Sequence, residues 1–224
     1  MDSKFAFIRV HLRLLLRGWS YYKHLDSITL AGSHAKGTDL RDSDVDIFLR
    51  LSPDTPGTLS AMQASLANHV LGNVRNVSVR ILLEGRFIDL VPARRRDTCD
   101  MLWQARFNTW LKTDIPLQIR YIRDSGLIDE ILALKIWRRR HALRFPSFLM
   151  ELAVIHALKP NRPIEAQFTS LLRFLATDFP TTRLFDPANS NNVVSDLLTD
   201  VEKLRIARSA AVSLGHSISF EPRL

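Results

Sequence analysis

Apolar residues at Phe5, Ile8, Leu12, Leu15, Leu16 and Trp19 recur at helical spacing, with Arg9, Arg13 and Arg17 on another face, so residues 5–19 predict a helix. Residues 27–31 (S-I-T-L-A) predict a short strand stopping at Gly32. A second strand is predicted over 45–51, closed by Ser52-Pro53-Asp54 and the Thr55-Pro56-Gly57 turn. Residues 59–71 predict a helix, and 77–83 with 87–91 predict two strands joined around Glu84-Gly85 as a hairpin. Beyond Pro92 the pattern turns helical over about 115–124, 128–141, 146–157, 164–176 and 193–214. No further strand is expected there, and Pro160, Pro163, Pro180 and Pro187 fall in the connections. The expectation is an α+β chain: a mixed β-sheet head over residues 1–95 and a mostly helical lobe over 96–224.

Composition narrows the class. The chain has 224 residues, 46% hydrophobic and 24% charged, which argues against disorder and leaves enough apolar surface for a real core. Cys99 is the only cysteine, so a disulfide scaffold is excluded. The first apolar run is broken by Arg9, His11 and Arg13, too short and too charged for a membrane span or a secretory signal. The expected location is cytoplasmic, with no membrane partner. Charge says more: of the formal net of +8, residues 91–150 hold twelve bases against six acids. Such an excess suits a polyphosphate or nucleic-acid ligand, or else a solvated basic surface.

The chemistry concentrates in L-A-G-S-H-A-K-G-T-D-L-R-D-S-D-V-D-I-F-L-R, residues 30–50. A strand runs into Gly32-Ser33, a turn small enough for backbone amides to approach an anion, with the Ser33 hydroxyl as a further donor. A helix starting there would add its unsatisfied N–H groups. Ten residues separate Ser33 from Asp44-Val45-Asp46; the strand period of two sends Asp44 and Asp46 to one face and Val45 and Ile47 to the other. Adjacent carboxylates repel unless a cation lies between them, and hard divalent ions are the natural answer. Two such ions about 3.5–4 Å apart would clamp the attacking hydroxyl and the leaving pyrophosphate of an in-line displacement. A third acid, Asp89, lies in the apolar strand R-F-I-D-L-V-P, where a carboxylate without a purpose is costly. On a strand neighbouring Asp44-x-Asp46 it would join the same cluster, to ligate one metal and act as general base.

Rival chemistries lack residues. Cys99 sits in a charged loop with no evident His partner, the seven His show no H-E-x-x-H or Cys/His cluster, and no Gly-Lys-Ser/Thr occurs for a Walker loop.

Gly32-Ser33-x10-Asp44-x-Asp46 with Asp89 resembles the nucleotidyltransferase signature of the DNA polymerase β superfamily. The wording is closest to the template-independent branch: oligoadenylate synthases, the cyclic-oligonucleotide synthases of bacterial anti-phage defence (CD-NTases), and archaeal-type CCA-adding enzymes. In the helical stretch, Leu134-Lys135-Ile136-Trp137 resembles the branch's L-K-x-W helix, whose Lys contacts the triphosphate. Phe145-Pro146-Ser147-Phe148 with Glu151-Leu152 resembles its P-S-F/Y-x-x-E-L element, and Asp186-Pro187-Ala188-Asn189 with Asn191-Asn192 its nucleotide-proximal loop.

The resemblance implies an Mg²⁺-dependent enzyme using two ions, with Mn²⁺ as an alternative. It would move a nucleoside monophosphate from an NTP or dNTP to a hydroxyl. Asp44, Asp46 and Asp89 become the catalytic and metal residues; Gly32, Ser33, Lys135, Ser147 and Asn189 become the nucleotide contacts. From the residues alone the last three stay open: Lys135 can snorkel to solvent, Ser147 can cap a helix, and Asn189 can belong to a polar loop.

The implied product is a linear or cyclic oligonucleotide made in anti-phage defence; the alternative is terminal addition to an RNA such as tRNA, as a CCA-like or toxin-like enzyme. A non-catalytic relic is disfavoured because every motif residue is kept. The chain is short for a cyclic-oligonucleotide synthase, which leaves room for an RNA acceptor, a homo-oligomer that completes the pocket, or an effector partner.

Overall fold

The computed structural model describes residues 3–215, with side chains from Phe5 onward. It divides into two units, Met1–Ile119 and Arg120–Leu224.

The first unit begins with α1 (Ser3–Leu16), β1 (Leu25–Leu30), a one-turn helix α2 (Gly32–Lys36), β2 (Val45–Leu51) and α3 (Leu59–Val70). It continues with β3 (Asn73–Val74), β4 (Val79–Leu83), β5 (Arg86–Arg96), β6 (Cys99–Gln104) and β7 (Thr109–Thr113). The sheet order is β1-β2-β5-β4-β3, with β6 pairing β5 further along and β7 pairing β6. The β2–β5 pair is parallel and the other neighbours antiparallel, so the sheet is mixed.

β2 carries the expected two-sidedness. Val45, Ile47, Leu49 and Leu51 are buried with Leu12, Leu16 and Trp19 near α1, Met62 and Leu66 of α3, and Ile88 and Leu90 of β5. The opposite face carries Asp46, Phe48 and Arg50; Phe48 packs in a smaller cluster with Ala31, Val91, Ala93 and Leu102. Covering one face with helices therefore frees the other for chemistry.

The expectation that strands stop near Pro92 is corrected. β5 runs on to Arg96 and feeds the β6–β7 hairpin, so the unit boundary falls at 119/120 rather than at 95/96. Arg94-Arg95-Arg96 and Cys99-Asp100 lack an apolar alternation, yet the side chains of Arg94, Arg95 and Asp100 are paired. Arg50 Nε and Nη2 donate to Asp100 Oδ1 and Oδ2 at 2.9 and 2.7 Å, which neutralises a buried carboxylate and ties β6 to β2. Arg94 Nη1 donates to the carbonyls of Thr55 and Gly57.

The second unit is helical: α4 (Ile115–Arg123) spans the boundary, followed by α5 (Ile128–Arg140), α6 (Ser147–Ala157), α7 (Ile164–Thr177) and α8 (Asp200–Ser213). Its core includes Ile131, Leu134, Leu149, Val154, Leu171, Leu175, Phe179, Ile206 and Ala210. The helix expected over 193–214 is shorter. Residues before Asp200 form a 3₁₀ turn and the hairpin β8 (Phe185–Asp186) with β9 (Asn189–Val193), again unexpected strands. Thr199 supplies the true start through a capping box with Glu202. Among the described residues no helix is long and apolar enough to cross a membrane.

Candidate active site

The loop from β1 to β2 is built around a tight approach. Gly32 opens α2 at φ +59°, a left-handed backbone position, and a Cβ there would overlap the Asp46 carboxylate. Its lack of a side chain thus brings the turn directly against the first acid strand. α2 ends at Gly37 (φ +77°), and Thr38 N then donates to Ser33 O. His34 contacts Asp39 through Nδ1 at 3.2 Å, and the amide of Leu40 donates to Ser43 Oγ, which together shape the loop that returns to Asp44.

Sheet register gathers the acids. Asp46 on β2 lies directly beside Asp89 on β5, and Asp44 immediately precedes β2 on the same face. The crowding is visible in Asp46, whose carboxyl is pushed up from its ordinary 3.8 to about 6. Burial is the main cause, followed by the negative charge of Asp89 and, more weakly, Asp44; Lys36 and His34 pull the other way.

A residue absent from the sequence expectations completes the cluster. Arg80 on β4 stands opposite Asp89 in the hairpin ladder. Its guanidinium donates to Asp89 through Nε (3.1 Å) and Nη2 (2.6 Å), and Nη2 also reaches Asp44 Oδ2 at 2.5 Å. Ser78 Oγ donates to Asp89 Oδ1 at 3.2 Å. These contacts hold the Arg80 guanidinium well above its ordinary pKa, mainly through Asp89. Among the described residues no group of three His, Cys, Asp or Glu side chains is already drawn together around a cation position, and Arg80 joins two of the acids.

Arg80 was legible in principle. Glu84 and Gly85 both take positive φ, as a two-residue hairpin turn requires. Counting outward from that turn pairs Leu83 with Arg86, Ile81 with Ile88 and Arg80 with Asp89.

In donor chemistry the cluster suits a hard divalent cation, since it offers carboxylate oxygens from two adjacent strands and carries more negative charge than one arginine neutralises.

The remaining sequence candidates lie in the second unit. Lys135 is 3% exposed, and its Nζ pairs with Glu151 Oε1 at 3.0 Å. Ser147 is exposed at the first position of α6, where Pro146 is the cap. Asn189 is half-buried at the start of β9, its Oδ1 accepting from the amide of Asn191. Asp186 is buried and accepts from the Ala188 amide and from Asn192 Nδ2, so this polar segment is a folded hairpin. Part of the basic stretch is engaged within the fold: Arg95 faces Asp100, Arg138 donates to the Phe145 carbonyl, and Arg144 pairs with Glu202.

Comparison with known proteins agrees with this geometry. Residues 12–100 match the family model described as a nucleotidyltransferase domain. The CCA-adding enzyme of Picrophilus torridus is 27% identical over 202 residues, covering 82% of this chain; the match spans only 44% of that relative. Among solved structures, E. coli MS115-1 CdnC with ATP superposes with a TM-score of 0.75 at 21% identity, covering 95% of this chain and 84% of that one. The Cid1 poly(U) polymerase gives a TM-score of 0.63 at 13% identity, covering 96% and 88%. The chain is thus similar to nucleotidyltransferases: residues 12–100 match that domain model, and the fold is the one seen in E. coli CdnC and the Cid1 poly(U) polymerase.

Proposed function

We propose that the protein is a metal-dependent, template-independent nucleotidyltransferase that moves a nucleoside monophosphate from an NTP or dNTP to a hydroxyl. The observation that carries this reading is the register pairing of Asp46 with Asp89, beside Asp44 and under the Gly32 turn. In the proposed reaction the acceptor oxygen bonds to the α-phosphorus, the bond to the β-phosphate oxygen breaks, and pyrophosphate departs with that electron pair. Asp89 takes the proton of the acceptor hydroxyl. Amides of the Gly32-Ser33 turn and the Ser33 hydroxyl hold the triphosphate.

Asp44, Asp46 and Asp89 are the residues that would hold Mg²⁺ or Mn²⁺; the ions would supply charge neutralisation for the attacking and leaving oxygens. Ser147 and Asn189 are assigned to the nucleotide on the strength of the motif resemblance. Lys135 is not, because Glu151 already neutralises it inside the helical unit.

The product we favour is a short oligonucleotide, linear or cyclic, made in anti-phage defence. The likeness to E. coli CdnC over 95% of the chain supports this reading. A second reading, terminal addition to an RNA, is supported by the similarity to the CCA-adding enzyme. Incubating the purified protein and Mg²⁺ with each labelled NTP or dNTP, with and without RNA, and analysing products by mass spectrometry separates them. Oligonucleotides from NTP alone support synthesis; incorporation only when RNA is present supports terminal transfer. Absence of both, or full turnover in a folded Asp44→Ala protein, overturns the proposal.

A further inference from the structure

The best-defined contact in the acid cluster comes from a cation of the chain itself. Arg80 Nη2 lies 2.5 Å from Asp44 Oδ2 and 2.6 Å from Asp89 Oδ2, and its Nε lies 3.1 Å from Asp89 Oδ1. One guanidinium thus grips Asp89 with two nitrogens and reaches Asp44 with one of them, from a strand position fixed by the Glu84-Gly85 turn. A guanidinium does not lose its proton in this range, so its charge can leave the acids only by moving.

The surroundings give it somewhere to go. The side chain is 22% exposed, and its guanidinium already lies 5.3 Å from the ring centroid of Phe87. Phe87 sits on the same face of β5 as Asp89 and is half exposed. That ring offers a weakly attractive resting surface for a displaced cation.

We propose that Arg80 is a resident counter-cation of the active site, which competes with free divalent metal for Asp44 and Asp89 and so keeps the cluster from loading tightly until an anionic substrate is at hand. The inference rests on the assignment of Asp44 and Asp89 as metal ligands. It adds that metal affinity is set by a side chain that touches neither the metal nor the reacting atoms. A polyphosphate is the class of ligand that relieves the competition, because it supplies negative charge to Arg80 and oxygen donors to the ion together. In its absence an entering ion must break the carboxylate–guanidinium contacts first.

The test is direct Mn²⁺ binding, read from the electron paramagnetic resonance signal of the free ion, with no nucleotide present. Arg80→Gln, which removes the charge and keeps a polar side chain, is expected to bind Mn²⁺ about tenfold more tightly than the wild type or better, as removal of a competing charge at contact distance predicts. Its melting temperature in EDTA is expected to fall below that of the wild type and to rise more on adding Mn²⁺. Arg80→Lys keeps one positive charge but cannot grip both oxygens of Asp89, so it is expected to bind with intermediate affinity; it also serves if the glutamine variant does not fold. Adding Asp89→Asn to Arg80→Gln should abolish the gain.

Equal or weaker Mn²⁺ binding in both Arg80 variants overturns the proposal, as does no measurable binding to any of them. The enzymatic reading fails on different evidence, namely the lack of NTP turnover by the wild type. A change in the Mn²⁺ affinity ratio is read without turnover.

Discussion

Replacing Lys135 by Met probes the helical unit at its most consequential polar contact. Lys135 and Glu151 have side chains 3% and 1% exposed and meet at 3.0 Å between α5 and α6. Met matches the aliphatic stem of Lys and removes the ammonium, which leaves a carboxylate buried without its main counter-charge. Breaking a buried pair from one side costs about 3–5 kcal/mol. For a chain of this size 1 kcal/mol lowers the melting temperature by roughly 2–4 °C, so a drop on the order of 6–20 °C is expected.

Lys135→Met with Glu151→Leu removes both charges and fills the volume with apolar groups. It should recover most of the loss, because neither partner is then left unpaired. The measurement is a thermal and urea melt followed by circular dichroism on the wild type, both single variants and the double variant. A Lys135→Met protein within about 1 kcal/mol of wild type, or a double variant as unstable as the sum of the singles, would refute the structural role argued for this pair. A loss of nucleotide binding at unchanged stability would show instead that Lys135 serves the substrate.

Two further outcomes are expected in the first unit. Gly32→Ala places a Cβ against the Asp46 carboxylate at a backbone angle of +59°, so NTP turnover should collapse and stability should fall by about 1–3 kcal/mol; wild-type turnover would contradict the close-approach role. Asp46→Asn removes a carboxylate held at about 6 against an ordinary 3.8, a difference equivalent to about 3 kcal/mol. Because the folded value is raised, the wild type in EDTA keeps this contribution in full below about pH 4 and loses it as the pH rises through about 6. The variant should therefore be the more stable protein at pH 8, by up to about 3 kcal/mol, with the gap closing toward pH 4. Urea melts across that range check it, and a gap that ignores pH would contradict the burial and crowding assigned to Asp46.

What the sequence determined was set by short periods and local chemistry. The alternation in residues 45–51 fixed which side chains of β2 meet the core and which meet the acids. The 3.6-residue spacing located α5 and α7 to within a residue or two, because an apolar stripe forces one face inward whatever the neighbours are. The glycine-serine turn, ten-residue spacing and aspartate pair pointed to the nucleotidyltransferase likeness before any tertiary contact was known.

Strands without that alternation escaped. β6 is held partly by Arg50 and Asp100, fifty residues apart, and β8–β9 by the side chain of Asp186, so neither carries a periodic signature. Tertiary structure alone decided the charge state of the acid cluster and the fate of the basic residues. Whether a lysine meets a phosphate or a buried glutamate, and whether two aspartates face water, an ion or Arg80, depends on distances between segments far apart in the chain. Coulombic energy follows those distances, and residue spacing along the chain does not encode them.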